Sequence, residues 1–402
     1  MKVVGLIAEY NPFHNGHEYH IEKAKKITGA DAAVVIMSGD FVQRGTPAIM
    51  PKHMRTRSAL MCGADLVIEL PVCYATGTAE QFAYGAVSIL DKLGFVDCIC
   101  FGSECGNIDS MQEIAQLLLH ESIEYKEMLQ EFLRLGMSFP TARQNALEHL
   151  HPDKDYSKIL EQPNNILGIE YLKALDRIGS KMIPYTIQRL SSQYHDIELQ
   201  DGYSSASAIR EAIERNAFDC IYEQIPKASH VLLKEKYNNC YPIYANDFSL
   251  LLKYRLLNES KATITEYADV STDLANRIYN QLNKFVDFDQ FCELLKTKEL
   301  TYSRISRALL HIILGIRKTD YKILEYARVL GFRTESTELL SVLKRYTRIP
   351  LVTKLTASYN LSDSAKKMLD ADIFASNLYE SVITDKFKTP YINEFERPIV
   401  IV

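Results

Sequence analysis

The chain predicts an α/β fold: a domain built on a parallel sheet, then a mostly α-helical C-terminal domain. Three observations predict it. Short apolar runs alternate with helical patterns through the first half of the 402 residues. The loops richest in polar and small residues fall at the carboxyl ends of those runs, where open parallel sheets bind ligands. Beyond about residue 230, helical periodicity dominates and β-branched runs thin out.

Taken in order, Lys2 to Ala8 is almost wholly apolar, as a strand covered on both faces must be. Tyr10 to Gly16 contains Asn, Pro and Gly and reads as a loop. Glu18 to Ile27 has helical spacing. Ala32 to Met37 is a second buried strand, ended by Ser38-Gly39-Asp40. Lys52 to Met61 is a helix, and Asp65 to Leu70 a third strand stopped by Pro71. Thr78 to Leu93 is a helix, and Val96 to Phe101 a fourth strand ending at Gly102. Residues 107 to 150 read as a helical insertion. Asn164 to Ile178 is a helix, Met182 to Gln188 a fifth strand, and Ser207 to Arg215 starts another helix. The expected division is a catalytic unit over 1–230 and a helical unit over 231–402.

Composition narrows the function classes. Hydrophobic residues make up 47% and charged residues 24% of the chain, ordinary for a globular protein. The longest apolar runs are strand-sized, short of the roughly 20 residues a membrane span needs. The N-terminal apolar run meets Glu9 and lacks a cleavage signal. Eight scattered cysteines without a signal peptide point to free thiols in a reducing cytoplasm. The spacing of Cys98, Cys100 and Cys105 is poor for zinc. The net charge of −5 conceals a basic stretch: Thr301 to Thr356 holds 11 Lys/Arg against 4 Asp/Glu. Such a segment suits a polyanion.

The strongest chemical signal is His14-Asn15-Gly16-His17, directly after the first strand and opening the first helix. Free amides and the positive dipole end make a helix N-terminus an anion site. Imidazoles three apart share a face there, and Gly16 lets a phosphate approach the backbone. The bare string is compatible with an ordinary loop; its position at a strand-to-helix turn favours chemistry. A second signal is Ser205 to Arg210 (SASAIR). Ser207 is the expected N-cap, with hydroxyls and Arg210 available for phosphate oxygens.

His14 to His17 matches the H-x-G-H signature of the HIGH-motif nucleotidyltransferases, and Ser205 to Arg210 resembles their second motif, S-[ST]-[ST]-x-[IL]-R. Ala206 stands where that motif carries a hydroxyl, removing one phosphate contact. Longer strings resemble the bacterial tRNA(Met) cytidine acetate ligase family: Gly5 to His17, Met37 to Gly45, Asp65 to Pro71, Phe101 to Glu104, Pro163 to Tyr171, Tyr194 to Asp196 and Tyr302 to Gly315. These span both halves of the chain.

The resemblance implies a HIGH-type Rossmann-like domain that activates acetate with ATP. Acetyl-adenylate and pyrophosphate form, and the acetyl group passes to N4 of the wobble cytidine of elongator tRNA(Met). It implies an ATP site lined by Leu6, Ile7, Ala8, Glu9, Tyr10, Asn11, Pro12, Phe13, His14, Asn15, Gly16 and His17. His14 and His17 would serve the triphosphate and the transition state. Gly102, Asn164, Arg189, Ser205, Ser207 and Arg210 complete that set, with Asn164 otherwise a simple N-cap. Lys52 and Arg55, one turn apart, would reach phosphates or tRNA, or else form a solvated helix face. Asp40 would hold Mg²⁺ or form an Asx-turn. Arg304, Arg307, Arg317, Lys318, Lys344 and Arg345 would contact tRNA phosphates. The interleaved Tyr302, Tyr321 and Tyr346 would stack on bases or pack in the core. The expected ligands are ATP with Mg²⁺, acetate and tRNA; neither a membrane nor a protein partner is indicated. Two other readings share the site: an adenylyltransferase that makes a dinucleotide from a mononucleotide, and a non-catalytic tRNA-binding protein. The basic helical half argues against the first and the intact histidine pair against the second.

Overall fold

The computed structural model describes residues 1–189, 204–217 and 221–402; Tyr194 to Asp196 lie outside them. Eight strands form one sheet: β1 (Val3–Ala8), β2 (Ala32–Ser38), β3 (Leu66–Leu70), β4 (Cys98–Ser103), β5 (Ile183–Gln188), β6 (Ala327–Phe332), β7 (Leu351–Val352) and β8 (Val400–Ile401). Their order is β8-β6-β3-β2-β1-β4-β5, with β7 beside β6. β1 lies parallel to β2 over the whole register from Val3↔Ala32 to Ala8↔Met37. The five expected strands run parallel to one another, β6 runs antiparallel to β3, and β7 and β8 lie parallel to β6.

Both faces of the sheet are covered, which is why the central strands are apolar throughout. Ala33, Val35 and Met37 of β2 enter one core with Val4 and Leu6. Val34 and Ile36 enter the other with Leu66, Ile68 and Phe82. This alternation is the period of two expected of a strand.

Seven helices bear on the site: α1 (Asn15–Thr28), α2 (Lys52–Met61), α3 (Ala79–Leu93), α4 (Pro163–Ile178), α5 (Ala206–Glu214), α6 (Tyr302–Leu314) and α7 (Asp363–Phe387). α1 ends at Gly29, whose φ of 65° lies in the left-handed region that glycine adopts without strain. The insertion is three helices, Ile108–Leu119, Ile123–Arg134 and Phe139–Leu150.

The C-terminal region is mostly helical, yet it supplies β6, β7 and β8 to the sheet. The sheet therefore crosses the boundary expected near residue 230. Nothing local marks Ala327–Phe332 as a sheet member, because its partner β3 lies about 260 residues earlier in the chain. No helix among the described residues is long and apolar enough to cross a membrane.

Candidate active site

At the carboxyl ends of β1, β4 and β5 a cavity of about 450 Å³ opens. Its size suits a small ligand or cofactor. Ile7, Ala8, Glu9, Tyr10 and Asn11 line it from the end of β1, and His14, Gly16 and His17 from the start of α1. Gly102, Asn164, Arg189, Ser205, Ser207 and Arg210 close it. The structure thus brings together residues more than 190 positions apart in the chain.

The histidines cap their own helix. His14 Nδ1 accepts from the Gly16 amide at 3.1 Å, and His17 Nδ1 accepts from the His14 amide at 3.3 Å. The rings lie 3.8 Å apart, centroid to centroid, tilted by 32°. Burial, then Arg189 and Arg210, pushes His14 down to about 3. Burial and the neighbouring His14 hold His17 well below its ordinary value. Both rings are therefore neutral near pH 7. With each Nδ1 acting as an acceptor, the ring proton sits on Nε2. The pair presents two N–H donors and no free lone pair.

α5 begins at Ala206, and Ser205 rather than Ser207 is its N-cap, accepting from the Ala208 amide at 3.1 Å. Ser207 Oγ instead accepts from Arg210, whose other nitrogen donates to the Asn11 carbonyl at 2.7 Å. Arg210 thereby ties the second motif to the first. Asn164 is not an N-cap; it lies in the first turn of α4 and donates its amide to Glu104 Oε1 at 2.6 Å. Arg189 runs across Gly102: a Cβ there would sit 3.4 Å from Arg189 Cγ.

Several expected residues lie elsewhere. Leu6 faces the core, and Phe13 packs against the rings of Tyr10 and His17. Asn15 donates to the Glu223 carbonyl at 2.8 Å, and Pro12 does not line the cavity. Lys52 and Arg55 are neither a solvated face nor cavity cations; both are buried. Lys52 Nζ pairs with Glu69 at 2.7 Å and Glu394 at 2.8 Å. The Arg55 guanidinium donates to the carbonyls of Glu9, Ser38, Gly39 and Met50, clamping the ends of β1 and β2. Asp40 accepts from the Lys52 amide at 2.7 Å at the start of α2. It does not line the cavity, and the described residues contain no group of three or more acidic, His or Cys side chains suited to a metal ion. Asp40 does not fit a Mg²⁺ ligand, and its Oδ1 accepts from an amide twelve residues on rather than closing an Asx-turn.

The basic residues divide as well. Arg307 pairs with Asp269 at 2.9 Å, Arg317 with Glu266, and Lys318 donates to the Thr265 and Val270 carbonyls. Arg304, Lys344 and Arg345 are exposed. Tyr302 donates to Asp289 at 2.6 Å and is half-buried, whereas Tyr346 is 49% exposed. α6 sits directly on the cavity loop: Ser306 Oγ donates to the Gly45 carbonyl at 2.8 Å. A Cβ at Gly45, where φ is 80°, would strike the Arg307 backbone.

The sequence reading passed over Gln43, Arg44 and His20, which also line the cavity. The first two lie in the loop already singled out after β2, and His20 repeats the spacing of three from His14 and His17.

Residues 1–393 match the family described as HIGH Nucleotidyl Transferase. A tRNA(Met) cytidine acetate ligase of Thermoanaerobacter sp. (strain X514) is 43% identical over 94% of this chain and 95% of the relative. One of Acetivibrio thermocellus is 41% identical over all of both. The apo crystal structure of Thermotoga maritima TmcAL covers both chains completely with a TM-score of 0.94 at 31% identity, and the form bound to alpha-thio ATP gives 0.91. The chain belongs to the HIGH nucleotidyltransferases and, within them, to the tRNA(Met) cytidine acetate ligase family.

Proposed function

We propose that the protein activates acetate with ATP and transfers the acetyl group to N4 of the wobble cytidine of elongator tRNA(Met). The observation that carries the reading is the neutral His14–His17 pair, with both Nε2–H groups left as donors beside the α1 N-terminus. Adenylation by a carboxylate builds negative charge on the phosphoryl oxygens. Fixed neutral donors stabilise that charge without reorganising. The cavity holds both reactants in one orientation, which supplies much of the remaining acceleration.

In this reading, Arg210, Ser205 and Ser207 take the phosphates, while Gly102, Asn164 and Arg189 take the adenosine. Mg²⁺ enters only as the ordinary companion of a nucleoside triphosphate, held by its phosphates. The exposed Arg304, Lys344 and Arg345 take tRNA phosphates, with α6 anchored to the loop after β2 through Ser306 and the Gly45 carbonyl. A cytoplasmic setting follows from that substrate.

The test is pyrophosphate release from ATP with and without acetate, followed by mass spectrometry of the recovered tRNA. Acetate-dependent release and a cytidine heavier by one acetyl group are the expected results. Release with a mononucleotide but not with acetate would overturn the reading in favour of a dinucleotide-forming enzyme.

A further inference from the structure

We propose that Glu9 is the general base of the transfer step, taking the proton that the acceptor amine must lose; this rests on the acetyl-transfer reading above. The starting point is an anomaly. A cavity that gathers Arg189, Arg210 and two histidine donors for an anionic nucleotide also carries a carboxylate. Among the described residues lining it, Glu9 is the only acidic side chain.

Its geometry is fixed on one side and open on the other. Glu9 Oε1 accepts from the Gln43 amide at 2.8 Å, and Arg55 holds the Glu9 carbonyl at 2.6 Å. No described residue donates to Oε2, and Oε2 is not among the sealed polar atoms. The carboxylate therefore turns one oxygen to the cavity space.

The chemistry calls for such a group. The lone pair of cytosine N4 is delocalised into the ring, so the amine is a poor nucleophile. Its proton becomes acidic only as the N–C bond forms. In the step, N4 attacks the acetyl carbonyl carbon and the bond from that carbon to the adenylate oxygen breaks. AMP leaves with the electron pair and needs no acid. The N4 proton passes to Glu9 Oε2.

The other candidates are spoken for. His14 and His17 have spent their Nδ1 lone pairs on backbone amides, and His20, whose Nε2 is buried, is held down to about 4 by burial and Arg189 and is a weak base. The charged and titratable groups that act on Glu9 are Arg44, Arg55, Arg210 and Tyr171. Burial, partly offset by the Gln43 amide and those arginines, raises the Glu9 pKa and brings the base closer to working pH.

The experiment compares wild type with Glu9→Gln, which keeps the acceptor for the Gln43 amide. Synthetic acetyl-adenylate and unmodified tRNA are supplied in single turnover, bypassing activation. Transfer by Glu9→Gln is expected to fall about 10²- to 10⁴-fold. Acetate-dependent ATP–pyrophosphate exchange should fall by a much smaller factor. The wild-type transfer rate should decline toward acid pH, the variant should lose that limb, and Glu9→Asp should restore it in part. Transfer by Glu9→Gln within a few-fold of wild type, or equal losses in both half-reactions, would overturn the assignment while leaving the acetate reading intact. A wild type that makes no acetyl-adenylate and accepts none would overturn both.

Discussion

At the carboxyl ends of β1 and β4 the protein gathers His14, His17, Arg189 and Arg210 around open space. At the carboxyl end of β3 it gathers Lys52, Glu69, Arg328 and Glu394 around one another. Both clusters sit on the same edge of one sheet, and both carry cations that could meet a phosphate. They differ in where the charge goes. In the second, Lys52 lies between Glu69 and Glu394, and Arg328 bridges the same two carboxylates. Burial works against ionising Glu394, but Lys52 and Arg328 hold its carboxyl far below the usual range. In the first, His14 and His17 bond backbone amides through Nδ1 and keep Nε2–H as donors. The lesson is that a basic residue near a ligand-binding edge is informative only once its partners are known.

Four experiments would break or sharpen that comparison. The largest expected effect is on activity: His17→Ala should slow acetyl-adenylate formation about 10²- to 10³-fold, the scale of a lost oxyanion donor. Near-wild-type exchange kinetics from the folded variant would remove the distinction between the two clusters. Next comes Lys52→Ala, which strands Glu69 and Glu394 in the interior. It should lower unfolding stability by about 3–5 kcal/mol, read by denaturant titration; a loss below about 1 kcal/mol would show that the network is wetter than its geometry implies.

The third concerns pH. An unfolded histidine binds its proton near the ordinary value of 6.5, whereas folded His14 does so near 3 and His20 near 4. Between those limits the unfolded chain holds more protons, so stability should fall as pH drops through that window. His20→Gln should flatten the fall by on the order of 1–3 kcal/mol. An unchanged curve would mean that the ring is solvated. The smallest effect separates two arginines of α6. Arg304→Ala should reduce the salt slope of tRNA binding by about one. Arg307→Ala, already paired with Asp269, should leave the slope alone and lower the melting temperature instead. Equal slope changes would return Arg307 to the RNA surface.

Much of the fold was legible because its signals are local. β1 and β2 are apolar on both faces, and Thr78 and Gly94 bracket α3 as an N-cap and a left-handed C-cap. The histidine pair was legible because a short spacing at a strand-to-helix turn fixes its geometry. Lys52 and Arg55 were misread because their partners come from β3, from α7 and beyond, and from backbone carbonyls that no sequence pattern displays. Ser207 lost the N-cap to Ser205 through a two-residue shift of the helix start, within the usual uncertainty of boundaries. β6 was missed because a six-residue apolar run has no orientation until its neighbour is known.

That late strand has a consequence for how the chain is made. β3 is the outer strand of everything synthesised before β6, and its unpaired edge waits about 260 residues for its cover. At roughly 5–20 residues per second, translation leaves that edge open for roughly 10–50 s. During that interval a row of free amides and carbonyls flanks an apolar ribbon, the feature most prone to pair with another chain. The nascent protein thus carries its N-terminal half early with an open edge, and the C-terminal half arrives as its chaperone.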